Sequence, residues 1–133
     1  MIVDTSALLA YFDALETQHE AVAAVIDAAD RCVVSPYVLA ELDHLVMSRY
    51  GRKAELAVLR ELFEGDWELA ALRPDDLTAA LGVLEGYDET VGLADASNVV
   101  LAQRYRDEVI ATLDRRHFSY LHAPGRLPLT VVP

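Results

Sequence analysis

Short apolar runs rich in β-branched residues recur along this chain, and segments with a helical apolar period separate them. That alternation constrains the fold more than any other feature. Strands joined by helical crossovers pair in parallel, and a parallel sheet needs helices on both faces. Strands are expected at Met1–Asp4, Cys32–Ser35, Trp67–Leu72, Val109–Leu113 and Thr130–Val132. Ser6 is placed to cap a helix through Leu8, Leu9 and Phe12,. Val22, Val25, Ile26 and Ala29 then fall at i, i+3, i+4 and i+7,. Ser35-Pro36 opens a helix to about Arg49, which Gly51 breaks,. Another runs from about Arg52 to Glu64, with Leu59, Leu62 and Phe63 inward and Gly65 as the stop,. Pro74-Asp75-Asp76 opens a helix whose expected inner face is Leu77, Ala80, Leu81 and Leu84, and a further helix spans about Leu93 to Tyr105. The expected fold is α/β: a three-layer α/β/α sandwich around a central, mainly parallel five-stranded sheet, built as a single domain over residues 1–133.

Composition narrows the setting. No apolar run approaches the roughly 18 residues of a membrane span, and the opening MIVDTSALLAYFD lacks the basic start of a secretory signal,. The single cysteine, Cys32, excludes an internal disulfide and a multi-cysteine zinc site and fits a reducing cytoplasm,. The net charge of −11 argues against a phosphate-rich partner until its distribution is read,. Residues 1–100 hold 6 basic and 19 acidic side chains; residues 101–133 hold 5 arginines and 3 acids, a net of +2. Arg104, Arg106, Arg115, Arg116 and Arg126 therefore form either a local phosphate-binding patch or solvated helix faces.

With 22 carboxylates in the chain, an acid is informative only where the pattern calls for an apolar residue. Four qualify. Asp4 and Asp114 end strands, at the carboxyl edge where open α/β sheets place ligands,. Glu41 has apolar Val38, Leu42 and Leu45 at i−3, i+1 and i+4, so its helix turns it toward the core side,. Asp95 lies in a first turn, with Val91, Val99 and Ala102 at i−4, i+4 and i+7. Carboxylates gathered there repel one another and resist burial, and a hard divalent cation with oxygen ligands relieves both costs. Each acid also has a plainer reading: Asp4 as an N-cap, Asp95 as a dipole-favoured first-turn acid, Asp114 as the start of a turn. For Glu41 no capping role offers itself.

The order D-T-S at the first strand end, A-E-L in the third helix, A-D-A-S-N in a late helix and T-L-D-R-R-H-F after a strand resembles the PIN domain, and more narrowly the VapC toxins of type II toxin–antitoxin pairs. The likeness covers essentially the whole chain. It implies that Asp4, Glu41, Asp95 and Asp114 are catalytic acids holding one or two Mg²⁺ or Mn²⁺ ions, with Ser6, Thr112 and Asn98 in support. It further implies an endoribonuclease acting on tRNA or rRNA, a homodimer, and neutralisation by a VapB-type antitoxin whose basic segment suits the acidic surface. The chemistry would be metal-assisted phosphodiester hydrolysis. Arg115, Arg116 and His117 directly follow Asp114 and either touch RNA phosphates or form a solvated loop.

Other sandwiches fit poorly. A haloacid dehalogenase phosphatase needs D-x-D where this chain has D-T-S, and a phosphoreceiver needs a lysine where the only one, Lys53, lies on a helix. A non-toxin RNA-processing nuclease and a non-catalytic RNA- or protein-binding module on the same fold remain as alternatives. The stripe Leu56, Leu59 and Phe63 is either core or a surface for a dimer or antitoxin partner.

Overall fold

The computed structural model describes residues 1–133. Five strands, β1 (Ile2–Val3), β2 (Cys32–Val34), β3 (Trp67–Leu69), β4 (Val109–Ala111) and β5 (Thr130–Val132), form one sheet in the order β3-β2-β1-β4-β5. Every pairing is parallel. Ile2 stands opposite Val33 on one side and Ile110 on the other, so β1 is the central strand. The chain moves outward from β1 through β2 to β3, then returns to β4 beside β1. That reversal creates a crevice at the carboxyl ends of β1 and β4, where doubly wound sheets bind ligands.

Seven helices cover the sheet: α1 (Thr5–Phe12), α2 (His19–Asp27), α3 (Pro36–Tyr50), α4 (Arg52–Glu64), α5 (Pro74–Leu84), α6 (Leu93–Tyr105) and the single turn α7 (Arg115–Phe118). Side chains alternate across each strand, which divides the apolar interior in two. Val3, Cys32, Val34 and Ala111 face Leu8, Val22, Val38, Leu42 and Leu62 from α1 to α4. Ile2, Val33 and Ile110 face Ala80, Val83, Val99, Leu101 and Phe118 from α5 to α7. The expected three-layer sandwich is therefore present, with a sheet that is wholly rather than mainly parallel. No helix is long and apolar enough to cross a membrane.

Local chemistry explains the helix ends. The Ser35 hydroxyl accepts the Tyr37 N–H at 3.2 Å and Pro36 occupies the first helical position,. Gly51 joins α3 to α4 at a φ of 88°, a conformation that glycine adopts without steric penalty,. At the close of α4, a Cβ on Gly65 would stand 2.5 Å from the Glu61 carbonyl oxygen.

Three expectations fail in detail. Ser6 lies inside α1 and caps nothing; Asp4 occupies the N-cap position, without a side-chain capping bond. On α5 the buried positions are Ala80 and Val83, while Leu77 and Leu81 are exposed, because apolar residues surround this helix and the wheel fixes no phase. Phe63, expected inward on α4, is 57% exposed; with Leu56 at 46%, both ends of the stripe left open between core and partner surface lie outside the core.

Candidate active site

The chain leaves β1 through Asp4, which sits at the carboxyl edge of the central strand and is 6% exposed. Its backbone N–H donates to the Ala111 carbonyl at 2.9 Å, which locks it beside β4. Three side chains meet its carboxylate. Thr112 Oγ1 donates to Oδ2 at 2.9 Å, Ser6 Oγ donates to Oδ2 at 3.1 Å, and Asn98 Nδ2 donates to Oδ1 at 3.2 Å. The two hydroxyls also accept backbone donors from the β4–α7 turn, Ser6 from Leu113 N at 2.9 Å and Thr112 from Asp114 N at 3.0 Å. The same residues thus orient the first acid and shape the loop that carries the last.

Asp95 approaches from α6. Its Oδ2 accepts the Gly92 N–H at 3.0 Å, an N-terminal capping contact that fixes the carboxylate in the first helical turn,. Two buried serines anchor this helix start to the sheet: Ser97 Oγ donates to the Ala94 carbonyl at 2.6 Å and meets Ser35 Oγ, at the end of β2, at 2.6 Å. Asp114 begins α7, where Oδ1 accepts the His117 N–H at 3.3 Å and Oδ2 pairs with His117 Nδ1 at 2.8 Å. Asp95 and Asp114 therefore fulfil their plainer readings, acids at the starts of helices, while Asp95 lies close enough to both Asp114 and Asp4 for their charges to repel.

Glu41 departs from expectation. Its side chain is exposed rather than turned to the core, because the buried stripe of α3 is Val38, Leu42 and Val46 and Glu41 lies outside it. It nevertheless senses the cluster. Partial burial raises its pKa above the ordinary value, and the charges of Asp4 and Asp95 push it further. Burial is also the leading cause of the raised pKa of Asp4; the Thr112 bond opposes it and the Asp95 charge reinforces it. Burial raises Asp95 too, against the Gly92 N–H and the His117 ring, with Asp114 adding repulsion. Three carboxyls with raised proton affinity at one sheet edge mark concentrated, uncompensated negative charge.

These donors are all oxygen and suit a hard divalent cation in kind. No three acid, histidine or cysteine side chains converge on one point as they stand, so the match lies in donor chemistry and placement, not in a closed cage. Two cavities lie away from these acids. One, of about 160 Å³, lies among Leu9, Phe12, Val46 and Tyr50; the other, of about 750 Å³, lies among Arg106, His122 and Arg126.

Sequence reasoning missed the Ser35–Ser97 contact and the place of His117. The histidine, expected among RNA-contacting residues, turns its ring onto Asp114, leaving Arg115 and Arg116 exposed on α7. The serine contact joins residues 62 apart, which no local spacing signals, whereas the Asp114–His117 pair is an i,i+3 contact that the D-R-R-H spacing itself could have indicated.

A doubly wound parallel sheet with a hydroxyl- and amide-braced carboxylate at its switch point, and further acids around it, defines a class of acidic-crevice α/β domains. The chain belongs to the PIN domain family, whose model matches residues 1–122, and within it to the VapC type. It is 58% identical, over 135 aligned positions covering 100% of both chains, to Ribonuclease VapC26 of Mycobacterium tuberculosis. The fold is similar to that of Mycobacterium tuberculosis VapC20, described as a sarcin-ricin loop cleaving toxin. The TM-score is 0.77 at 21% identity, covering 85% of this chain and 88% of that one. It also matches FitAcB from Neisseria gonorrhoeae, with a TM-score of 0.59 at 16% identity over 86% and 87% of the two chains.

Proposed function

We propose that this chain is a metal-dependent endoribonuclease toxin of the VapC type, acting as a single domain in the cytoplasm on a tRNA or rRNA. The observation that carries this reading is the buried Asp4 carboxylate, held by Thr112, Ser6 and Asn98 and repelled by Asp95. A fold does not retain a buried, mutually repelling carboxylate for stability, since an apolar side chain there would be less costly. Full-length similarity to a protein named as a ribonuclease supplies the substrate class.

In this reading Asp4, Glu41, Asp95 and Asp114 are the catalytic acids and hold one or two Mg²⁺ or Mn²⁺ ions. Held by these carboxylates, such an ion would supply Lewis-acid chemistry: a water more acidic than bulk water and charge to polarise the scissile phosphate. Thr112, Ser6 and Asn98 fix the Asp4 carboxylate, so that no reorganisation is needed when phosphate arrives. Thr112 and Ser6 also set the turn from which Asp114 projects. Exposed Arg115 and Arg116 at the rim offset the −11 charge locally and contact the RNA backbone,. The acidic surface suits neutralisation by a VapB-type antitoxin with a basic segment, and the protein is expected to be a homodimer.

The test is incubation of the antitoxin-free protein with total RNA and intact ribosomes in Mg²⁺, Mn²⁺ or EDTA, with Asp4→Asn as control. Discrete metal-dependent cuts that the variant does not make are expected. Absence of both cleavage and metal binding would favour a non-catalytic binding module. Cuts confined to precursor RNAs would favour a processing nuclease.

A further inference from the structure

Beside the acids stands a group of aromatic side chains that the site as described does not use. Tyr120 follows α7 and is 40% exposed, although it is a large aromatic residue. Its ring nevertheless has two aromatic neighbours. The Tyr87 ring lies 5.7 Å away, tilted by 40°, and the His117 ring meets it edge-on at 6.4 Å and 89°. The backbone beneath is tied down: Tyr87 Oη accepts the His122 N–H at 2.9 Å, and its single proton is shared between the carbonyls of Tyr120 and His122, 3.1 and 3.2 Å away,. Tyr87 itself comes from the segment between α5 and α6, so two loops are joined here. His117, which meets the Tyr120 ring, also bonds Asp114 at 2.8 Å. A partly exposed aromatic ring on a tied-down loop is thus linked through His117 to Asp114, and exposed Arg115 and Arg116 lie on α7 just before it.

We infer that Tyr120 is a stacking platform that seats an unpaired nucleobase of the RNA next to the scissile phosphate. The inference rests on the ribonuclease reading above and adds a residue that positions substrate. Unpaired bases are held chiefly by stacking on aromatic faces, and a ring already fixed by its neighbours loses little freedom when a base covers it. The arginines favour RNA over an apolar peptide as the occupant, because they supply backbone charge at the same edge.

The experiment uses a synthetic RNA spanning the cut mapped with total RNA, together with copies in which each nucleotide flanking the cut is made abasic in turn. Tyr120→Leu is expected to raise KM about tenfold and to change kcat less than about threefold, the scale of one base stack. Tyr120→Phe is expected to rescue KM. One abasic position should cost the parent protein the same factor and cost Tyr120→Leu nothing further. Tyr120→Trp, which keeps a stacking face, provides a second reading: its added indole emission is quenched when this RNA binds in an Asp4→Asn background. The platform is overturned if every abasic position costs the parent and Tyr120→Leu equally. It is also overturned if Tyr120→Leu weakens only antitoxin binding, which would assign the ring to a protein partner. Failure of the parent protein to cut any RNA overturns the ribonuclease reading itself, and the platform with it.

Discussion

Replacing Thr112 by valine isolates the support of the first acid from the acid itself. Thr112 is fully buried, and valine keeps its shape while removing the hydroxyl. Three contacts of the hydroxyl go: the bond donated to Asp4 at 2.9 Å, the one accepted from Asp114 N at 3.0 Å, and the 3.1 Å contact with the Ser6 hydroxyl, which keeps its own bond to Asp4. A bond to an ionised carboxylate contributes about 1.5–3 kcal/mol, and an abandoned backbone N–H adds to that, so a loss of about 3 kcal/mol is expected. For 133 residues, an unfolding entropy of about 2.1 cal/mol/K per residue converts this to a fall in Tm of about 10 °C. Thr112→Ser keeps the hydroxyl and loses one methyl, about 0.8 kcal/mol, for a fall of about 3 °C. Thermal unfolding followed by far-UV circular dichroism in EDTA reads both variants without metal. The pH dependence adds a second check. The Thr112 bond lowers the Asp4 pKa, so its loss raises that pKa further and favours proton uptake by the folded variant. The deficit of Thr112→Val should therefore be largest near neutrality and shrink in acid. A Tm within about 3 °C of the parent, equal damage from serine and valine, or a deficit constant with pH would refute the reasoning.

Asp4→Asn is expected to abolish cleavage while leaving Tm unchanged or higher, because it removes a buried charge repelled by Asp95; paired cleavage and melting assays check both,. Asp4, Glu41 and Asp95 all have folded pKa values above their ordinary 3.8, 4.5 and 3.8. The stability they contribute is therefore fully present below those ordinary values and is lost as pH rises through the raised ones. Denaturant titrations across that window should show metal-free protein gaining stability as pH falls from neutral, with a shallower slope for Asp4→Asn. Gly82→Ala, in the interior of α5 with open space around the new Cβ, should raise stability by about 0.5–1 kcal/mol,. Gly65→Ala, whose Cβ would meet the Glu61 carbonyl at 2.5 Å, should lower it by about 1–3 kcal/mol,. Melting curves of the two alanine variants decide both signs.

The layer order and sheet content were legible because strand runs such as Cys32–Val34 are too short and too β-branched for helices, and the segments between them carry a helical period. Glycine and proline marked the ends of α3 and α4 for steric reasons that act locally. Helix phase was less legible. On α5 the apolar residues occupy more than one face, and only the neighbouring α6 decides that Ala80 and Val83 go inside. For Glu41 the apolar neighbours at i−3, i+1 and i+4 were not enough to fix its phase, since the buried stripe of α3 runs through Val38, Leu42 and Val46 and leaves it exposed. Ser6 resembled a cap because capping is a local habit of serine; its actual partners, Asp4 and Thr112, include one 106 residues away. The Tyr87 clamp on residues 120–122 is likewise non-local.

The central position of β1 also governs when the molecule can become active. The strand that carries Asp4 is made first, yet it pairs with β4 only after residue 111 exists, and Thr112 must reach Asp4 from the far side of that pairing. Contacts so distant in sequence close late, because loop entropy must be overcome before they contribute. A growing chain on the ribosome therefore carries Asp4, Glu41 and Asp95 as separate, unbraced acids until the final segment joins the sheet. A product truncated before β4 lacks both the brace and Asp114. If the four acids act as proposed, strand order keeps them apart during synthesis, and a fragment that ends before β4 is expected to cut no RNA.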